Sequence, residues 1–154
     1  MYRFSRISQQ RLDTLDPKLQ DILNEAIKHI DFSIMQGYRS KEEQNRLYPK
    51  FTKLRYPHSK HNRRPSLAVD ICPFIRPFGA ITGHPSQIEG LMIKTGRRKR
   101  EVEDFVVKSY ARLMGNIERI AFEKDIKIRL GMDWTMDFNM LDQNFHDLAH
   151  IELV

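Results

Sequence analysis

The sequence predicts an α+β fold. Segments with apolar residues at helical spacing alternate with short runs in which apolar and polar residues alternate. The strand-like runs cluster around the most polar motifs of the chain. With 154 residues, 40% apolar and 30% charged, the composition suits one globular domain whose core needs no disulfide staples.

Residues 1–16 read as a short N-terminal arm. Asp16-Pro17 then supplies an N-cap with proline at the first helical position. Leu19, Ile22, Leu23, Ala26, Ile27 and Ile30 follow at helical spacing, which predicts an amphipathic helix over 17–29. Phe32, Ile34 and Gln36 alternate with Ser33 and Met35 in a strand-like run that Gly37 ends. A second helix is expected over 40–48, with Ser40 as N-cap and Glu43 completing a capping box. Residues 49–66 hold three prolines and many basic residues and read as a loop. Leu67-Ala68-Val69-Asp70-Ile71-Cys72 is a short apolar run, expected as a buried strand. Residues 73–100, rich in Pro, Gly and basic residues, read as a long basic loop excursion. Over 101–124, Val102, Phe105, Val106, Tyr110, Leu113, Ile117, Ile120 and Ala121 form one helical stripe. Ile126, Ile128 and Leu130 alternate as a strand ending at Gly131, and a last strand is expected over 150–154.

The formal net charge is +6 and the sequence pI about 9.5, which suits an anionic partner: nucleic acid, an acidic cell-wall polymer or an anionic membrane face. No segment approaches the roughly 20 apolar residues of a membrane span. The first residues, Met1-Tyr2-Arg3-Phe4-Ser5-Arg6, lack the apolar run of a signal peptide, so the protein is expected to be made and held in the cytoplasm until something else releases it. A single cysteine, Cys72, excludes an intramolecular disulfide framework and a cysteine-rich zinc module.

Six histidines occur, and two neighbourhoods stand out. Ser59-Lys60-His61 is followed nine residues after the histidine by Asp70, inside an apolar strand. His146-Asp147-Leu148-Ala149-His150 lies close to the C-terminus. Catalytic zinc needs three ligands from His, Asp or Glu, an open position for water, and a carboxylate beside that water. A carboxylate in an apolar strand is costly without a cation partner. His61, Asp70 and His150 together make a two-His, one-Asp set. Arginine pairing remains the simpler explanation for Asp70 alone. A rival set uses the tail only: His146 and His150 at i and i+4, as on a zincin helix. The alternating Ile151-Glu152-Leu153-Val154 that follows leaves that helix no room.

These residues resemble a known family. Gly37-Tyr38-Arg39-Ser40, Ser59-x-His61, Ala68-x-Asp70, Arg129-Leu130-Gly131-Met132-Asp133-Trp134 and Asp147-x-x-His150 are similar to the blocks of the LAS-group zinc peptidases. These are the D-Ala-D-Ala carboxypeptidases and L-alanyl-D-glutamate endopeptidases, and the chain is most like their bacteriophage endolysins. The resemblance implies a small antiparallel sheet with flanking helices and a zinc site in a cleft, the LAS/hedgehog-type fold, in one peptidase domain spanning 1–154. It implies Zn2+ held by His61, Asp70 and His150, with Asp147 as catalytic carboxylate and Arg39 as the arginine that steadies the substrate. Eight residues separate His61 from Asp70 where many members have six. The resemblance assigns His84 and His146 no role, and both read as structural.

The expected activity is therefore zinc-dependent hydrolysis of the L-alanyl-D-glutamate bond in bacterial peptidoglycan during host lysis, by a monomer with no membrane span. The alternative within the fold is a D-Ala-D-Ala carboxypeptidase. A second class, a non-enzymatic nucleic-acid binder, rests on Arg97-Arg98-Lys99-Arg100 alone.

Overall fold

Asp16 caps the first long helix of the computed structural model, which describes residues 1–139 and 147–154. Its carboxylate accepts the Lys18 N–H at 2.9 Å, and Pro17 occupies the first helical turn, where its missing N–H costs nothing. The elements in chain order are α1 (Arg6–Leu12), α2 (Pro17–Ala26), β1 (Phe32–Gln36), α3 (Lys41–Leu47), β2 (Ala68–Ile75), β3 (Gly79–Ala80), α4 (Pro85–Thr95), α5 (Lys99–Glu123), β4 (Ile128–Leu130) and β5 (His150–Leu153). Ser40 caps α3 by accepting the Glu43 N–H at 3.1 Å, as its spacing predicts.

The sheet is antiparallel, in the order β1-β2-β5-β4, with β3 paired to the far end of β2. One face packs on helices. Val69, Ile71, Ile151 and Leu130 from the strands meet Ile22 and Leu23 of α2 and Tyr110, Leu113 and Ile117 of α5 in the core. Strand side chains alternate faces. Asp70, His150, Arg129 and Glu152 therefore stand on the opposite face, in register: Asp70 beside His150, and Glu152 between Ala68 and Arg129.

Two expectations need correction. Residues 1–16 are not an arm. Ser5 caps α1 by accepting the Ser8 N–H, Arg11 donates to the Ile34 carbonyl at 2.7 Å, and Leu12 and Leu15 are fully buried. The segment reads as polar because a short helix laid on a sheet edge needs only two apolar anchors. Residues 73–100 are not a loop excursion either. They hold the end of β2, then β3, all of α4 and the start of α5. The stop and start signals lie among the basic residues: Pro85 opens α4, Gly96 closes it in the left-handed conformation at φ 68°, and Glu101 caps α5 by accepting the Arg98 N–H at 3.0 Å.

Candidate metal centre and active site

The site begins at a glycine. A Cβ on Gly37 would stand 2.3 Å from Thr14 Oγ1 and 2.7 Å from the Arg11 carbonyl, so only glycine lets β1 end this close to α1. The Gly37 carbonyl accepts the Nδ1–H of His61 at 2.7 Å. His61 lies in a short 3-10 turn, Lys60–Asn62, which Ser59 caps, and its own carbonyl accepts the Arg39 N–H at 2.8 Å. The backbone thus joins the Gly37–Arg39 turn to the histidine turn.

A carbonyl only accepts, so in the neutral ring Nδ1 carries the proton and Nε2 offers a lone pair. That Nε2 is buried and has no hydrogen-bond partner among the described residues. It faces Asp70 Oδ1 at 3.3 Å. His150 Nδ1 meets the same oxygen at 3.0 Å. Ligand atoms of His61, Asp70 and His150 all lie within 4.8 Å of one another, and among the described residues no other such group forms. A buried lone pair turned on a carboxylate oxygen is unfavourable unless a cation lies between them. Two imidazoles and one carboxylate are the donors that zinc takes in open catalytic sites. The residues present therefore fit the ion.

The electrostatics follow from this crowding. Burial acts to raise the Asp70 pKa, but the imidazoles of His61 and His150 beside it hold it well below the usual carboxylate range. Burial acts to lower that of His150. Its hydrogen bonds to Asp70 and Glu152 win, and bring it up to about 9. The His150 ring packs on Trp134, centroids 5.3 Å apart.

Arg39 is buried beside the trio. Its Nη2 lies 3.4 Å from Asp70 Oδ2, and its Nη1 donates to Gln44 Oε1 at 3.2 Å. Asn62 donates to the Arg39 carbonyl at 2.9 Å. Gln44 is fully buried in α3 and also donates to the Leu54 carbonyl at 2.6 Å. Its position was not legible in sequence, because one glutamine in a polar helix carries no signal.

Asp147 stands outside the ligand trio. Burial and the nearby charge of Asp70 push its pKa above the usual aspartate value. It borders a cleft of about 320 Å³ that Thr82, Gly83, Val106, Tyr110 and Leu148 also line. The loop that carries it is pinned to Gly131, whose carbonyl accepts the Asp147 N–H at 2.8 Å and whose own N–H donates to the His150 carbonyl at 2.9 Å.

The rival readings fare differently. His146 lies outside the described residues, but His150 opens a β-strand, with Asp147 to Ala149 forming no helix before it, so it is not presented as on a zincin helix. His84 is exposed and caps α4 by accepting the Ser86 N–H. In the basic cluster, Arg97 and Arg98 pair with Glu101 and Lys99 with Glu103, so much of its charge is met on its own helix.

The family model for the phage L-alanyl-D-glutamate peptidases matches residues 1–82, more than half of the chain. The chain belongs to that family. It is a peptidase of the endolysin type, hydrolysing peptidoglycan, which sets aside both the nucleic-acid binder and the carboxypeptidase alternative. The matched span contains Arg39, His61 and Asp70, while Asp147 and His150 lie beyond it. None of the curated proteins matches. Among solved structures, the peptidase is similar to the crystal structure of the Serratia marcescens L-Ala D-Glu endopeptidase ChiX, at 20% identity and a TM-score of 0.64, over 99% of this chain and 90% of that one. That likeness extends the shared fold to the C-terminal strand on which His150 stands.

Proposed function

We propose that this peptidase cuts the L-alanyl-D-glutamate bond with a zinc ion held by His61, Asp70 and His150, with Asp147 as the proton carrier and Arg39 as the charge clamp. The observation that carries the reading is the buried, unpartnered His61 Nε2 turned toward Asp70 Oδ1, the atom that His150 Nδ1 also meets.

Zinc bound in such a set supplies Lewis acidity and brings the pKa of a water to about 7. The chain supplies the rest. Asp147 takes the proton of the attacking water and returns it to the leaving amine nitrogen. Its pKa, raised by burial and by the charge of Asp70, makes it a better proton acceptor than an ordinary aspartate. Arg39 brings fixed N–H donors and a positive charge to the oxygen on which negative charge develops, and Gln44 holds its guanidinium in place. A basic surface favours approach to an anionic wall.

The test is a digest of purified muropeptides analysed by mass spectrometry, with chelator-stripped protein before and after addition of one zinc equivalent. Stripped protein should be inactive, and the reloaded protein should release fragments beginning with D-glutamate. Full activity in the stripped protein would overturn the metal assignment, and fragments shortened only by a terminal D-alanine would overturn the bond assignment.

A further inference from the structure

We propose that Glu152 is a positioning residue that holds the His150 ring in one orientation and one tautomer, an inference that rests on the metal-site reading above. His150 and Glu152 are two apart on β5, so both side chains stand on the sheet's polar face. Glu152 is buried, and its Oε2 lies 3.1 Å from His150 Nε2. Its other oxygen belongs to two cations. Arg129, its register partner on β4, donates to Oε1 from Nε at 2.9 Å and also from Nη2, and Lys60 Nζ lies 3.3 Å away. Lys60 also donates to the Leu153 carbonyl, which ties it to the same strand.

This arrangement has one chemical consequence. Two cations fix one oxygen of the carboxylate, and the other is left for the histidine. A carboxylate only accepts, and both ring nitrogens of His150 face one, Nδ1 toward Asp70 Oδ1 and Nε2 toward Glu152 Oε2. With a cation shared with Asp70, Nδ1 would offer its lone pair, and Glu152 would keep the proton on Nε2. The Gly37 carbonyl does the same for His61 from the other side, with the two ring nitrogens exchanged. Each imidazole is thus held from behind by an acceptor, one from the backbone and one from a side chain. With both oxygens engaged, Glu152 is a support behind the ring and not a second candidate base.

Glu152→Gln tests this. The two cations compete for the amide oxygen, so the amide N–H faces His150 Nε2 and favours the opposite tautomer. Zinc affinity, measured by competition with a chromophoric chelator, should weaken about 10- to 100-fold. In ¹⁵N NMR of the zinc-loaded parent, His150 Nε2 should carry a slowly exchanging proton, and that signal should be lost in the variant. If Glu152→Gln fails to fold by circular dichroism, Glu152→Asp replaces it. That variant keeps the charge one methylene short, and zinc affinity should fall at least about threefold. Affinity within twofold of the parent, or a proton on His150 Nδ1 in the zinc-loaded parent, would overturn the proposal while leaving the ligand set standing. A parent that takes up no zinc would overturn both.

Discussion

The carbonyl oxygen of Asp147 lies against Gly131 so closely that a Cβ there would stand 2.4 Å from it, and 2.9 Å from the Cβ of His150. One glycine therefore sets the position of both the candidate base and a candidate ligand. Gly131→Ala must push that loop away, because the atoms it meets are backbone or the root of a side chain. We expect at least a tenfold loss in muropeptide cleavage together with weaker zinc binding. Parent-like values for both would show that the loop is free to move aside.

Metal content separates the ligand sets. His61→Ala should lose zinc, because no other group among the described residues replaces its lone pair. His146→Ala should keep one zinc per chain. The reverse pattern, read by atomic absorption on dialysed protein, would restore the tail-only arrangement.

Asp147→Asn removes the proposed proton carrier and leaves the three proposed ligands. Loss of a general base costs about 10²–10⁴ in rate, so cleavage should fall by at least about a hundredfold with zinc retained. The same variant has a stability signature. Because its folded pKa is raised, ionised Asp147 costs the fold stability above the pKa of the unfolded chain, and that cost disappears as pH falls below it. Asp147→Asn should thus melt no lower than the parent at pH 7, and the two should converge below about pH 4. A lower melting temperature at neutral pH would contradict the raised pKa. For the parent, the acid limb of kcat/KM should lie above the usual aspartate value of about 3.9. Asp147 must be a carboxylate to act, so activity falls as pH drops through its raised pKa.

Arg39→Lys keeps the charge and loses the planar fork that reaches Gln44 and Asp70 together. Cleavage should drop at least tenfold while zinc stays at one per chain. Near-parent turnover would reduce Arg39 to a counter-ion of Asp70.

Leu12→Ala probes the N-terminal segment. Leu12 is fully buried, and emptying such a site costs roughly 2–5 kcal/mol. For a domain of this size that lowers the melting temperature by about 5–15 °C. A shift under about 1 °C would return residues 1–16 to the status of an arm.

What the sequence determined by itself is what depends on neighbours along the chain. Asp16-Pro17 and Ser40 start their helices through side chains two or three residues away, and the stripe from Val102 to Ala121 predicts α5 from its period. The candidate ligands His61, Asp70 and His150 were legible through the resemblance, block by block. The tertiary structure alone decided how those blocks meet. The antiparallel register sets Asp70 beside His150 across 80 positions of sequence, and the Gly37 carbonyl selects the tautomer of His61. Gln44, Glu152 and the close packing at Gly131 act through contacts between distant segments. A one-residue slip of β5 against β2 would turn Ile151 to the polar face and His150 into the core. Local propensity fixes no register; burial of Val69, Ile71 and Ile151 against α5 does, and it aligns the site as a consequence.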